Sequence, residues 1–145
     1  MLESSQLEHS ILSRWRLVDQ ATIDRFADVT DDHQFIHVDR ERAKQSGFGS
    51  TIAHGFLALS LVPAFYFETV SADEAGAMTV NYGLDRLRFT SPIPCDSRIR
   101  ARFELVSQST RSAYETLVKY AVTIEIENRD KPAMVADWLI VRRVP

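Results

Sequence analysis

The chain has 145 residues, 45% of them hydrophobic, which is the size of one domain with enough apolar side chain to fill one core. Its formal net charge is -3 and it carries no basic tail or Lys/Arg block, which argues against a nucleic-acid binder built on phosphate neutralisation. With a single cysteine, Cys95, it can form neither an internal disulfide nor a cysteine-built zinc site.

The first stretch, MLESSQLEHSILSRW, has acidic residues and no long apolar run. It matches neither a signal peptide nor a membrane anchor, so a cytoplasmic protein without a membrane span is expected. Asp19 can cap a helix running to about Val29, with Ile23, Phe26 and Ala27 on its apolar face. Asp39 can cap a second short helix, RERAKQS, ended by the glycines of SGFGS. Between the two lies the irregular segment TDDHQFIHV. The next segment, IAHGFLALSLVPAFYF over residues 52–67, is apolar nearly all round, interrupted by His54 and Ser60. Such a helix needs protein on most of its sides, and Pro63 would kink it or open a second helical piece.

Near residue 77 helical spacing gives way to alternation. Strands are predicted at about 78–90, 97–107, 113–127 and 133–143, separated by SPIPCDS, SQSTRS and NRDKP. Cys95 lies in the first of these turns, beside nothing that would activate a thiolate. Short turns favour neighbouring antiparallel strands, hence a meander. Arg98, Arg100, Arg102 and Glu104 alternate with Ile99, Ala101 and Phe103, and Val118, Tyr120, Val122, Ile124 and Ile126 form a second apolar row. One face of the sheet is therefore wet and the other dry. An α+β domain over 1–145, its antiparallel sheet wrapped around one central apolar helix, satisfies both halves: the hot-dog arrangement. The strand MVADWLIV is apolar on both faces apart from Asp137, which an outer strand of a lone monomer would tolerate poorly, so a homodimer is expected.

Acids and histidines gather in a short window: Asp31, Asp32, His33 and His37, then His54 just before Gly55 at the head of the apolar helix. Taken singly, Asp32 reads equally as a turn or capping residue and His37 as a core histidine bonded to a carbonyl. Adding water across a double bond conjugated to a thioester needs a group to take a proton, a route for a proton to Cα, and donors for the thioester oxygen. Asp32 and His37 can supply the first two, and a dry pocket would raise the carboxylate towards the working range. Backbone N–H groups around Gly55, at a helix N-terminus, can supply the third.

At these residues the chain resembles the MaoC-like, R-specific enoyl-CoA hydratases. Their pattern FA-x-x-[ST]-G-D-x-N-P-[IL]-H-x-D, followed by HG at the head of the hot-dog helix, is matched by FADVTDDHQFIHVD and IAHGFLALSL. YGLDRLRFTSPIP is similar to the family's strand and turn after that helix, so the resemblance spans about residues 15–105. It implies that the catalytic pair falls on Asp32 and His37 and the oxyanion glycine on Gly55. It also implies a hydro-lyase of fatty acid metabolism that interconverts trans-2-enoyl-CoA and (3R)-3-hydroxyacyl-CoA. The substrate would be a coenzyme A or acyl-carrier-protein thioester, with no separate cofactor, bound in a tunnel beside a dimer interface. Two positions depart from the pattern: Gln34-Phe35 stand where the family has Asn-Pro, and Asp31 where it has glycine. In DHQFIHVD the sequence is closer to the nodulation-protein-N-like branch, with Gln34 keeping an amide to support the loop.

Three other readings share these residues. His33, His37, His54 and Asp32 are chemically suited to zinc or iron. A hot-dog thioesterase would use the carboxylate to hydrolyse the same thioester, and a non-catalytic acyl-thioester-binding module would use the fold without turnover.

Overall fold

The computed structural model describes residues 10–69 and 77–145. Two short strands come first, β1 (Ile11–Leu12) and β2 (Arg16–Val18), followed by helices α1 (Gln20–Thr30), α2 (Phe35–Val38), α3 (Arg40–Lys44) and α4 (Gly55–Thr69). Four long strands complete the chain, β3 (Met78–Phe89), β4 (Ser97–Thr110), β5 (Glu115–Ile126) and β6 (Met134–Arg143). All pairings are antiparallel, in the order β1-β4-β5-β6-β3, with β2 also on β4. This is the expected α+β hot-dog architecture. Among the described residues no helix is long and apolar enough to cross a membrane.

The caps are those the sequence suggested. Asp19 accepts from the Thr22 N–H at 2.9 Å and Asp39 from the Arg42 N–H at 3.1 Å, each filling an orphan donor of a first turn. The alternation also holds. Ile99, Ala101 and Phe103 of β4, with Val118, Tyr120, Val122, Ile124 and Ile126 of β5, are buried in one apolar cluster. On the other face Arg100 and Arg102 bracket Glu125 at 2.7 and 2.9 Å. Leu57, Ala58, Val62, Phe65 and Tyr66 of α4 press onto the dry face. Tyr66 meets Phe103, Tyr120 and Trp138 edge to face, with centroids 6.1, 5.7 and 5.5 Å away.

Four expectations need correction. The helix begins at Gly55 rather than near residue 52 and runs through Pro63 without a break. It is also covered on one side only: Phe56, Ser60, Ala64 and Phe67, a stripe at helical spacing, are exposed, the two phenylalanines by 63% and 50%. The strands are not a simple meander. β3 lies beside β6, at the far edge from β1, with Phe89 opposite Met134 and Met78 opposite Arg143. SPIPCDS is therefore a crossover and not a hairpin turn. Pro92 and Pro94 have no N–H to give a ladder, and the groups that remain bond to the segment before α4: Ala53 N–H to Ile93 O at 2.8 Å and Cys95 N–H to Thr51 O at 2.9 Å. Partial burial in this crossover pushes the Cys95 thiol up, away from reactivity. Finally, β6 is an interior strand paired on both edges, with β5 and β3, and its Leu139 and Val141, outside the core cluster, are already 8% and 7% exposed within the one chain. It gives no argument for a second copy.

Phe103 stands where the aromatic cluster crosses from sheet to helix, fully buried. Phe103→Ala is expected to cost about 3–5 kcal/mol, the usual loss for deleting a buried aromatic ring, read as a lower urea midpoint.

Candidate active site

Three pieces of chain meet at the head of α4: the turn after α1, the single helical turn α2, and residues 51–54. The helix α1 ends on Asp31, whose φ of 58° and ψ of 23° are left-handed. This is the conformation for which a glycine is best suited, and aspartate is among the few other residues that enter it readily. The Asp31 departure from the family pattern is thus absorbed by the backbone the pattern requires.

The turn delivers Asp32, whose Oδ1 accepts from the Gln34 N–H at 3.4 Å. Gln34 O then accepts from the His37 N–H at 2.9 Å and opens α2. His37 therefore projects from a helical turn, where an irregular segment was expected. Gln34 acts through its main chain; its side-chain amide makes no hydrogen bond among the described residues. Phe35, at the position of the family's proline, carries the Arg42 guanidinium 4.1 Å above its ring, a contact that packs α2 on α3.

His37 is buried and its Nδ1 donates to the Ile52 carbonyl at 2.7 Å. With Nδ1 carrying the proton, the neutral ring keeps its lone pair on Nε2. Ile52 N–H donates in turn to Ile36 O at 3.0 Å, so α2 is held on both sides of His37. Gln20 closes the frame: its amide donates to His37 O and to Asp24, both at 2.8 Å, and accepts from Thr51 Oγ1 at 2.6 Å. Sequence reasoning passed over Gln20, which stands as an ordinary first residue of α1 and meets the site only in three dimensions.

His54 is 3% exposed. Its Nε2 donates to the Asp32 carbonyl at 2.9 Å. Its ring stacks on His37, with centroids 3.8 Å apart and planes 21° from parallel, while Phe26 covers it at 5.0 Å. Burial holds the His54 imidazole below its ordinary value, against the pull of the Asp32 carbonyl, and neighbouring His37 adds to the lowering. His33, by contrast, turns outward to Asp28 at 2.9 Å, and that bond raises its pKa.

One ligand-type atom from each of Asp32, His37 and His54 lies within 4.8 Å of the others. The set does not form a coordination sphere as it stands. Ring nitrogens bind an ion in the plane of the imidazole, and two rings stacked at 3.8 Å with nearly parallel planes share no such point. His33, bonded outward to Asp28, has also left the group.

A cavity of about 280 Å³ opens beside His37, lined also by Gly55, Ala58, Phe89, Pro92 and Ile93. Gly55 begins α4. Leu57 and Ala58 N–H groups both turn back to His54 O, and the N–H groups of Gly55 and Phe56 precede the first intrahelical acceptor. A Cβ at Gly55 would sit 3.0 Å from the Phe89 ring, so glycine is what lets strand β3 close over the helix head. Asp32, however, is exposed, and the dry pocket expected around its carboxylate is not formed by this chain alone. A second cavity, about 390 Å³, lies further along α4 beside Leu59, Ser60, Pro63, Leu84 and Trp138.

A hot-dog sheet with an aspartate and a histidine gathered at the head of its helix defines a class, and a family model described as "MaoC like domain" matches residues 4–128. The chain belongs to this family of MaoC-like dehydratases. Nodulation protein N of Rhizobium leguminosarum bv. viciae is 52% identical over 130 residues, covering 89% of this chain and 81% of that protein. The 3-hydroxyacyl-thioester dehydratase Z of Mycobacterium tuberculosis is 39% identical over 128 residues, covering 88% and 84%. Among solved structures, the R-hydratase PhaJ1 of Pseudomonas aeruginosa superposes with a TM-score of 0.77 at 20% identity, over 94% of this chain and 81% of that one, a likeness of fold.

The lowered His54 imidazole has a consequence for stability. Its ordinary value is 6.5. Below that pH the unfolded chain takes up a proton that the folded chain refuses, so its contribution is complete above 6.5 and is lost as the pH falls towards the folded value. His33, raised by Asp28, acts in the opposite sense in every variant that retains it. Urea titrations from about pH 7 to about pH 5 are expected to show a steeper loss in the wild type than in His54→Phe.

Proposed function

We propose that this chain is a hydro-lyase that reversibly adds water to trans-2-enoyl thioesters and yields the (3R)-3-hydroxyacyl product. The observation that carries the reading is the meeting of Asp32 with His37 beside a cavity headed by Gly55. A water placed between the Asp32 carboxylate and His37 Nε2 gives a proton to the pair as its oxygen bonds to C3. The double-bond electrons move through C2 towards the thioester oxygen, where the Gly55 N–H and the positive end of α4 stabilise the charge. The pair then returns a proton to C2, so one water is consumed, OH ends on C3 and H on C2. No cofactor enters, and the protein acts in the cytoplasm on coenzyme A or acyl-carrier-protein thioesters.

Dehydratase Z of M. tuberculosis, by its name, acts on a 3-hydroxyacyl thioester, which is this reaction in the dehydrating direction. The R configuration rests on the DHQFIHVD motif and its family. The acyl chain would lie along α4, from the cavity at Ala58 into the one at Leu59 and Pro63.

The test is crotonyl-CoA hydration followed by loss of enoyl absorbance. Asp32→Asn and His37→Ala are each expected to lower kcat by roughly a hundredfold or more, with the fold retained. Near wild-type turnover in both would make the two residues structural. An S product would reject the stereochemical assignment. Thiol release without loss of enoyl absorbance would identify a thioesterase, and acyl-CoA binding without turnover an acyl-binding module.

A second copy of the chain completes this reading. β3 is an open edge carrying Met78, Val80, Tyr82 and Leu84, with Tyr82 57% exposed, and it lies on the same side of the molecule as the uncovered stripe of α4. Sedimentation is expected to give a homodimer, and Val80→Lys with Tyr82→Lys a monomer with reduced turnover.

A further inference from the structure

The motif region holds three histidines, His33, His37 and His54, and the proposed chemistry uses one. His33 is an exposed partner of Asp28. His54 is the one without an assigned task, although it is the most deeply buried of the three. We infer that His54 is a positioning residue: its Nε2–H fixes the main chain of Asp32 to the head of α4, and its ring face fixes the orientation of the His37 imidazole.

Each half of this role rests on a separate contact. The Asp32 carboxylate sits on an exposed turn whose own support is a long 3.4 Å bond to Gln34. The 2.9 Å bond from His54 to the Asp32 carbonyl is what ties that turn to a rigid element, since His54 O accepts the first two returning amides of α4. The Ile52 carbonyl holds the His37 ring at its edge, through Nδ1. The His54 ring packs flat against its face, with centroids 3.8 Å apart, and keeps the ring plane from tilting off that bond. Phe26 on the opposite face of His54 keeps the stacking ring in place.

The bond to a carbonyl also requires one tautomer. Nε2 must carry the proton, so Nδ1 holds the lone pair, and that atom is buried with no donor among the described residues. His54 therefore meets His37 as a neutral ring, and a second cation is not placed against the imidazolium that forms when His37 takes a proton. Asparagine or serine could donate to the carbonyl, and an aromatic hydrocarbon could stack. Imidazole does both within one side chain.

The inference rests on the hydratase reading for its kinetic consequence and stands apart from it in its structural one, so the experiment has both arms. His54→Gln retains an amide donor for the Asp32 carbonyl and loses the stack; His54→Phe retains the stack and loses the donor. Each is expected to lower kcat about five- to tenfold, with KM changed by less than twofold, as suits a lost positioning contact rather than a lost acid or base. In an Asp32→Asn background His54→Phe is expected to change the residual rate by less than twofold, because its effect travels through Asp32. The second arm needs no substrate: nitrogen NMR of the wild type should show His54 protonated on Nε2 and His37 on Nδ1. Proton spectra should show ring-current-shifted His37 resonances that return to ordinary positions in His54→Gln. Where His37→Ala does lower kcat, unchanged kcat in both His54 variants, or a change confined to KM, overturns the inference, as does the opposite tautomer of His54. If the wild-type spectra agree while no variant, including His37→Ala, changes hydration, the reaction assignment fails and the positioning geometry stands.

Discussion

The hydrogen bond from His37 Nδ1 to the Ile52 carbonyl, 2.7 Å long, is the constraint around which the site is built. It sets the tautomer of the imidazole and turns Nε2 towards the cavity. It also belongs to a strap, residues 51–54, whose main-chain groups bond to α2, to the crossover and to the head of α4. Thr51 O accepts from Cys95, Ile52 N–H donates to Ile36, Ala53 N–H donates to Ile93, and His54 O caps α4. Buried backbone groups have to be paired, and here the pairing serves to join α4, the crossover and the α2 turn through four consecutive residues. Movement of any one of them displaces the others.

Legibility in the sequence followed the range of the interaction. Caps are local, and Asp19 and Asp39 were readable three residues from the amides they accept. The dry and wet rows of β4 and β5 were readable because period-two alternation leaves no other way to place them. Strand order was not, since turn length suggested that β3 and β4 were neighbours, and the two prolines of SPIPCDS carried the contrary signal. A hairpin needs donors that Pro92 and Pro94 lack. The apolar character of MVADWLIV suggested an outer strand covered by a second copy, whereas β6 is an interior strand with β3 and β5 on its two edges. Composition reports that a strand is covered, and it does not report by what.

The site shows the same division. Asp32, His37 and Gly55 came from one motif and one helix start. Gln20 could not be found this way: its three partners are Asp24, His37 and Thr51, two of them far along the chain. His54 was visible as a histidine in a cluster, with a metal site as one rival reading of that cluster. The near-parallel stacking of its ring on His37 is what argues against a shared ligand point.

The placement of β3 beside β6 also bears on how the protein is made. Met78 has to wait for Arg143, and Phe89 for Met134, so the strand that closes over Gly55 pairs with a strand synthesised well after it. The meander of β4, β5 and β6 can form from neighbours in sequence, whereas β3 must close a long loop before any ladder bond rewards it. Until then an apolar strand is held without its neighbour, in reach of other nascent chains. The cavity beside His37 is consequently among the last parts of the molecule to be assembled, and until β3 has paired it lacks the wall that Phe89 supplies.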